Sequence, residues 1–377
     1  MDVLAQSPFQ GLLTYPLGHS LQQSQQLGLP GVAYFSDEVL EDEMRSWNHT
    51  WQMVGRELQV QSSGDYFTYM VGNQPLVIIR TEEGELRAFH NVCPHRGAQL
   101  VSEQGNCKQI RCPYHAWRFD LEGNLLGLPQ AERFPHLERS TVQLRPARVE
   151  TWGGFVFVNL ATTGESLQAY LAGFSSYLEQ YDYAWGDLEM VDSWSYDQPV
   201  NWKFLVENYL ESYHLSTVHG KSLSCFDPGN IQTATVGRHY QICVGYASQE
   251  SVKQHQVFAG DPQRQSYQGF IFPNWMVNTA RDMVSIFRLM PLSATQTRFE
   301  VLIYQTRSQQ TAFSYDRDGF RSQFDRVLQE DFNAVRLLQA SVHSQAYGVL
   351  QFAAGLEDGI SHFHRVWREA LDSGRND

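Results

Sequence analysis

The sequence predicts an α+β chain of two domains, a small all-β domain followed by a larger one in which an antiparallel sheet cups a long helix. Three observations predict it. Short alternating apolar runs punctuated by Gly and Asn fill residues 51–160, further strand-like runs occupy 240–306, and a long stretch of helical apolar spacing follows. With 377 residues and 42% hydrophobic content the chain can bury more than one core.

Residues 1–33 are rich in Gln, Gly, Ser and Leu, including Gln22-Gln23-Ser24-Gln25-Gln26, and read as a flexible arm. Residues 34–50 read as an N-terminal helix packing on the larger domain: Ser36 caps it, Asp37 and Glu38 fill its first turn, and Leu40, Met44 and Trp47 form its inner face. In 51–160, Tyr66 to Val71, Leu76 to Arg80 and Leu86 to Asn91 alternate as strands. Trp117 to Asp120 followed by Glu122-Gly123-Asn124 suggests a hairpin, and Gly154 to Val158 closes the small domain. The second domain, 161–377, opens with a helix near Ser166 whose Leu167, Leu171, Phe174 and Leu178 share a face. Strands are expected around Tyr240 to Tyr246, Gly269 to Asn278, Val284 to Met290 and Phe299 to Thr306. The long helix after them carries the stripe Leu328, Phe332, Val335 and Leu338.

Two mixed pairs carry the chemistry of the first domain: Cys93-Pro94-His95-Arg96-Gly97 and Cys112-Pro113-Tyr114-His115, with sixteen residues between His95 and Cys112. Two Cys and two His in this order can hold a two-iron, two-sulfide cluster. Replacing two thiolates by neutral imidazoles on one iron raises the potential, so the iron on His95 and His115 is expected to accept the electron. A Cys2His2 zinc site is the rival, but a zinc finger separates its Cys pair from its His pair. The prolines and Arg96-Gly97 suit tight loops with inward backbone N–H groups.

This arrangement, with Asn91 before it and Ala116-Trp117 after it, resembles the oxygenase version of the Rieske-type iron–sulfur motif. Respiratory Rieske proteins add a disulfide between their two loops. Here the neighbours are Pro94, Pro113 and Tyr114, so none can form.

A second constellation is Asn208-Tyr209-Leu210-Glu211-Ser212-Tyr213-His214, with His219 five residues on. On a continuous helix Glu207, Glu211 and His214 share one face, and His219 folds back from beyond its end. Two His and a carboxylate form a facial triad that leaves adjacent positions open on Fe(II). Asp331 beside the apolar stripe is the expected carboxylate, because burying it without a cation is costly, and Glu330 is the fallback.

Together the constellations resemble the catalytic (alpha) subunit of the Rieske non-haem iron oxygenases, from about residue 34 to 370. The resemblance implies an all-β Rieske domain and a helix-grip catalytic domain. It implies a [2Fe–2S] cluster on Cys93, His95, Cys112 and His115, and mononuclear Fe(II) on His214, His219 and Asp331. It also implies a head-to-tail homotrimer in which Glu211 bridges an iron-ligand His to a cluster His of the neighbouring subunit. Ring-hydroxylating members often have Asp there; Glu reaches roughly 1.5 Å further. The Glu, together with Glu357-Asp358-Gly359-Ile360-Ser361-His362-Phe363-His364, looks more like relatives acting on choline, carnitine and glycine betaine.

The activity expected from this resemblance is that of a terminal oxygenase using O2 and external electrons to hydroxylate a small organic molecule, or to N-demethylate a quaternary ammonium compound. An aromatic-ring hydroxylating dioxygenase is the alternative, and a non-catalytic Rieske electron carrier or iron sensor is the alternative of another class. Candidates for a cation–π box are Trp202, Phe204, Tyr209, Tyr213, Phe270, Phe272 and Trp275, although each reads first as a core residue.

Cys107, Cys225 and Cys243 have no paired spacing and read as small buried hydrophobes. No G-x-G-x-x-G fingerprint follows a strand, so electrons are expected from a separate flavin and iron–sulfur reductase, directly or through a ferredoxin. A net charge of −13 disfavours nucleic acid and anionic membranes as partners. With no membrane span and no basic residue before Arg45, the chain is expected in the cytoplasm.

Overall fold

The computed structural model describes residues 28–179, 184–247, 266–279, 283–312, 316–348 and 350–374. The chain divides into two compact units: Met44–Ala172 with Tyr183–Glu189, and the remainder, made of Met1–Glu43, Gly173–Asp182 and Met190–Asp377. The arm expected over residues 1–33 lies, for 1–27, outside the described residues. Leu29, Ala33 and Tyr34 are fully buried. Helix α1, Asp37–Trp47, starts with Val39 N–H donating to the Ser36 hydroxyl at 3.4 Å. Its buried positions are Val39, Glu43, Ser46 and Trp47, so the inner face is rotated from the expected Leu40 and Met44, which are half-buried. A polar residue, Glu43, sits at its centre.

In the unit spanning Met44–Ala172, β1 (Gln52–Arg56), β2 (Asp65–Val71), β3 (Gln74–Arg80), β4 (Leu86–His90) and β5 (Gln104–Asn106) are followed by three short strands. These are β6 (Ile110–Arg111), β7 (Arg118–Phe119) and β8 (Leu125–Gly127), with β9 (Pro146–Trp152) and β10 (Phe155–Asn159) completing the unit's strands. The main sheet runs β1-β10-β9-β4-β3-β2-β5 and the small one β6-β7-β8, with antiparallel pairing throughout. Strand β3 shows why the small domain has two cores. Leu76 and Ile78 face a core with Val156 and Val158, while Val77 and Ile79 face one that contains Cys93, Cys112, Trp117 and Phe119. The period-two side-chain alternation of a doubly covered strand separates them.

Helix α2 (Leu167–Tyr170) is capped by the Ser166 hydroxyl, and α3 (Phe174–Glu179) follows Gly173, whose φ of +79° interrupts the single helix expected there. Leu167, Leu171, Phe174 and Leu178 are all buried as expected. In the second unit a seven-stranded antiparallel sheet has the order β11-β17-β16-β15-β14-β13-β12. Its strands are β11 (Leu188–Gln198), β12 (Phe226–Val236), β13 (His239–Tyr246), β14 (Ser266–Ile271), β15 (Trp275–Thr279), β16 (Val284–Ser293) and β17 (Gln296–Thr306). The run expected as one strand from Gly269 to Asn278 is a hairpin, because Pro273-Asn274 turns the chain between β14 and β15.

Helices α4 (Trp202–Tyr209), α5 (Leu215–Val218), α6 (Arg307–Ala312), α7 (Arg317–Ser341) and α8 (Asp358–Gly374) complete the unit. Helix α7 lays Phe320, Phe324, Leu328, Phe332 and Val335 inward; Phe324 meets Phe287 edge-on at 5.7 Å and Phe332 meets Phe299 at 5.4 Å. Leu338, expected on this stripe, is exposed, so the stripe ends one turn earlier at Val335. The expected antiparallel sheet with a long helix is present, and among the described residues no helix is long and apolar enough to cross a membrane.

Two buried polar networks tie the helices of this unit together. Glu43 accepts from Lys203 Nζ at 2.6 Å and from the indole N–H groups of Trp202 and Trp367 at 2.7 Å, and Lys203 is fully buried. A buried ion pair persists only when its remaining valences are filled, as here. Glu207 accepts from Tyr34 Oη at 2.7 Å and is bonded to His364 Nε2 at 2.8 Å. These bonds dock α1 and α8 against α4.

His362 on α8 is held neutral. Burial and the facing Arg365 guanidinium, 3.1 Å from Nδ1, push its pKa down to about 4 from an ordinary 6.5, against the smaller opposing pulls of the Arg238 and His239 backbone and of Glu369. The folded state therefore binds this proton less readily than the unfolded one, and the associated stability is full above pH 6.5 and lost as pH falls toward 4. The loss is about 3 kcal/mol at most. In urea unfolding measured from pH 7 to pH 4.5, H362Q is expected to lose stability less steeply than the native chain.

Candidate metal centres

In the first unit, the two cysteine loops share one geometry. Cys93 N–H donates to Ala98 O and Gly97 N–H returns to Cys93 O, while Cys112 N–H donates to Trp117 O and Ala116 N–H returns to Cys112 O, all at 2.8–3.1 Å. Gly97 and Ala116 occupy matching left-handed positions, with φ +73° and +56°. Asn91 locks the first loop, its Oδ1 accepting from Leu100 and Val101 N–H and its Nδ2 donating to Val101 O. Such tight loops turn the Cys and His side chains to one side. The imidazoles of His95 and His115 lie 4.7 Å apart, and Trp117 stacks on His95 at 4.9 Å.

Both thiols are buried, and burial, with Cys112 beside it, pushes the Cys93 thiol up to about 11. Nδ1 of His95 and Nδ1 of His115 are also buried, and neither has a hydrogen-bond partner among the described residues. Orphaned buried nitrogens are rare and need an explanation. Two buried thiols and two unpartnered imidazole nitrogens in facing loops fit a [2Fe–2S] cluster with mixed ligands.

In the second unit, α4 ends at Tyr209, and Leu210 takes the C-cap position. The expected continuous face through Glu207, Glu211 and His214 is thus broken after Tyr209. Glu207 stays on α4 and is committed to Tyr34 and His364. Glu211 lies in the turn, where its carboxylate accepts the backbone N–H groups of Tyr213 and His214 and bonds His214 Nδ1. A carboxylate that caps the next turn competes with continuing the first helix, and that is the physical reason for the break. Leu356, before α8, and Gly359, in the first turn of α8, hold this turn: Ser212 N–H donates to Leu356 O at 3.2 Å, and a side chain at Gly359 would meet Leu210 O at 2.3 Å.

His214 heads α5 and His219 ends it. Their rings, 5.1 Å apart, converge on one oxygen of α7: Asp331 Oδ1 is 2.8 Å from His219 Nε2 and 3.6 Å from His214 Nε2. One donor atom from each of the three residues lies within 4.8 Å of the others. Adjacent ligands of an octahedral ion bonded at about 2.1 Å are roughly 3 Å apart, so this set fits an iron with open positions. Glu330, the fallback ligand, faces the opposite nitrogen, with Oε2 2.8 Å from His219 Nδ1. Burial lowers the His219 pKa, but Asp331 and Glu330 outweigh it and the net shift is upward. Burial raises Glu330, and the Ser222 hydroxyl and His219 reverse this, leaving it below the ordinary carboxylate value.

Residues 185–373 match the family described as "Ring hydroxylating alpha subunit (catalytic domain)", and residues 50–146 match "Rieske [2Fe-2S] domain". The chain belongs to the Rieske non-haem iron oxygenases. Its cofactors are a Rieske [2Fe–2S] cluster and a mononuclear iron, and as an oxygenase subunit it works with a separate reductase. The carnitine monooxygenase oxygenase subunit of Acinetobacter baumannii is 30% identical over 332 residues, 84% of this oxygenase and 86% of the relative. The glycine betaine monooxygenase oxygenase subunit of Chromohalobacter salexigens is 27% identical over 377 residues, covering 89% and 84%. A solved quaternary ammonium Rieske monooxygenase, described in terms of carnitine oxidation and inter-subunit electron transfer, superposes with a TM-score of 0.80. It is 26% identical and covers 91% of this chain and 95% of that one.

The oxygenase's cavity, about 150 Å³, is lined by Glu211, His214, His219 and Asp331 and extends along the sheet. Its wall comes in alternating pairs, Ile231 and Thr233, Ile242 and Val244, Ser266 and Gln268, Ser285 and Phe287, which is the period-two signature of strands turned toward one space. Of the seven aromatic residues that were candidates for a box and read first as core, only Tyr209 lines it. Trp202, Phe204, Phe270, Phe272 and Trp275 are core residues, and Tyr213 is exposed. The rings that do face the cavity with Tyr209 are Phe226, Phe287 and Phe324. Sequence reasoning missed them because they come from β12, β16 and α7, which only the sheet order brings together. Tyr209 is fixed to β14 and β15 through Gly269 O, Val277 O and Asn278 Oδ1.

Near Glu211 a second carboxyl, Glu357, accepts from Ala353 N–H at 2.6 Å; its pKa is raised by burial and further by the Glu211 charge. Of the other cysteines, Cys225 and Cys243 are buried and Cys107 is half-buried, each raised by burial, Cys225 to about 12.

Proposed function

We propose that this chain is the terminal oxygenase of a quaternary ammonium monooxygenase, hydroxylating a carbon attached to nitrogen. The observation that carries the reading is the largely apolar cavity at His214, His219 and Asp331, faced by Tyr209, Phe226, Phe287 and Phe324. Relatives named for carnitine and glycine betaine support the substrate class. In this reading Cys93, His95, Cys112 and His115 hold the cluster and His214, His219 and Asp331 hold the iron. A homotrimeric ring brings a neighbour's cluster to Glu211, and an external flavin and iron–sulfur reductase supplies electrons.

When bound, the iron supplies dioxygen activation at the expense of two delivered electrons and two protons. The residues do the rest. Glu211 holds the Nδ1 proton of His214 and so fixes its ring, and the apolar strand pairs exclude bulk water. The aromatic faces hold a trimethylammonium head by cation–π attraction, about 2 kcal/mol or more where desolvated. Hydroxylation of a carbon on nitrogen gives a carbinolamine, which divides into an amine and an aldehyde.

With a surrogate reductase and iron-loaded protein, oxygen uptake stimulated by trimethylammonium compounds and matched by formaldehyde or another aldehyde is expected. Uptake stimulated only by aromatic compounds, with hydroxylated ring products, would overturn the substrate class. F287L is expected to lower kcat/KM for the trimethylammonium substrate roughly 30-fold, corresponding to about 2 kcal/mol, and to change it far less for a neutral tert-butyl analogue.

A further inference from the structure

We propose that Glu330 is a positioning residue for the iron, fixing the tautomer and plane of His219; this rests on the reading of His214, His219 and Asp331 as ligands. Glu330 and Asp331 are consecutive on α7 and meet opposite nitrogens of one imidazole, Glu330 Oε2 at Nδ1 and Asp331 Oδ1 at Nε2, both at 2.8 Å. A carboxylate at Nδ1 accepts a hydrogen bond, so the neutral ring keeps its proton on Nδ1 and leaves the Nε2 lone pair free for a metal ion shared with Asp331.

Glu330 is itself held in place. The Ser222 hydroxyl donates to the same Oε2 and lies 3.3 Å from His219 Nδ1, and Arg326 stands 3.9 Å from the other oxygen. Ser222 and His219 are both buried, which leaves the imidazole little freedom to turn. His214 has a matching carboxylate, Glu211, on its own Nδ1. The two differ in origin. Glu211 comes from the same turn as its histidine, whereas Glu330 comes from the helix that supplies the carboxylate ligand. One helix therefore places both Asp331 and the ring it faces.

The test uses the full chain with its cluster intact and its mononuclear iron stripped, titrated with Fe(II), then with nitric oxide as a spectroscopic probe of the iron. E330A is expected to weaken Fe(II) binding by roughly 10–100-fold. It is also expected to change the rhombicity of the nitrosyl–iron EPR signal, with the cluster signal unaltered. E330Q retains an acceptor oxygen and is expected to restore most of both. Native Fe(II) affinity and an unchanged nitrosyl spectrum in E330A would overturn the proposal. Loss of iron in E330A and E330Q as complete as in D331A would also overturn it, by making Glu330 a ligand. If H219A and D331A kept native Fe(II) affinity, the ligand reading itself would fall. If they lost iron while E330A was native, only the positioning role would.

Discussion

E211A is expected to lose turnover by at least about 100-fold even when both metal centres are filled. Glu211 bonds His214 Nδ1 and accepts two backbone N–H groups of the same turn, so its removal first loosens one of the proposed iron ligands. Losses of an orienting partner of this kind cost roughly 10–100-fold in metal affinity, which excess Fe(II) overcomes. The proposed bridge to a neighbouring subunit's cluster would not be restored by added iron, and the remaining deficit in turnover would measure it. E211D, roughly 1.5 Å shorter, is expected to recover iron binding better than turnover. Iron-loaded E211A with native oxygen uptake and product formation would refute the bridging role.

The second large effect is expected in H214A. Among the described residues, His214 Nε2 is one of three donors that converge on the candidate iron position. Its loss leaves two, too few to retain Fe(II) against buffer, so iron analysis should fall by one atom per chain and turnover should reach background. The cysteine loops lie in the other compact unit, with their own core around Val77, Phe89, Cys93 and Cys112. The visible colour and EPR signal of the cluster are therefore expected to match the native protein. Disappearance of both signals would mean that the two centres do not form independently.

The contrast between what was legible in the sequence and what was not follows from how local each feature is. The cysteine and histidine pairs of the first unit are written within five residues each, because a cluster imposes its geometry on single loops. Strands β2, β3 and β4 were legible for a similar reason, since hairpin partners are neighbours in the chain, whereas β1, β5, β6 and β9 went unrecognised. The helix break after Tyr209 was hidden, because i, i+4, i+7 spacing continues through Glu207, Glu211 and His214 whether or not the backbone does. The turn between β14 and β15 was marked by Pro273-Asn274, yet the unbroken apolar run around it outweighed that signal. Glu43 and Lys203 pair across 160 positions, and periodicity says nothing about such a contact. The cavity is the extreme case. Phe226, Phe287 and Phe324 face it only because the strand order and α7 bring three distant segments together, so aromatic residues close to the iron motif in sequence were poor guides to it.

The measurement that tests the account most directly is a single turnover without any reductase. Iron-loaded protein is reduced chemically and freed of reductant, then mixed with oxygen and either trimethylammonium compounds or a panel of aromatic acids. The account predicts that the cluster reoxidises together with formation of an aldehyde from a trimethylammonium substrate, in an amount limited by mononuclear iron, and that H214A yields none. Reoxidation with no product from any substrate would contradict it and leave the chain an electron carrier, and equal product from H214A would contradict the placing of the iron on His214.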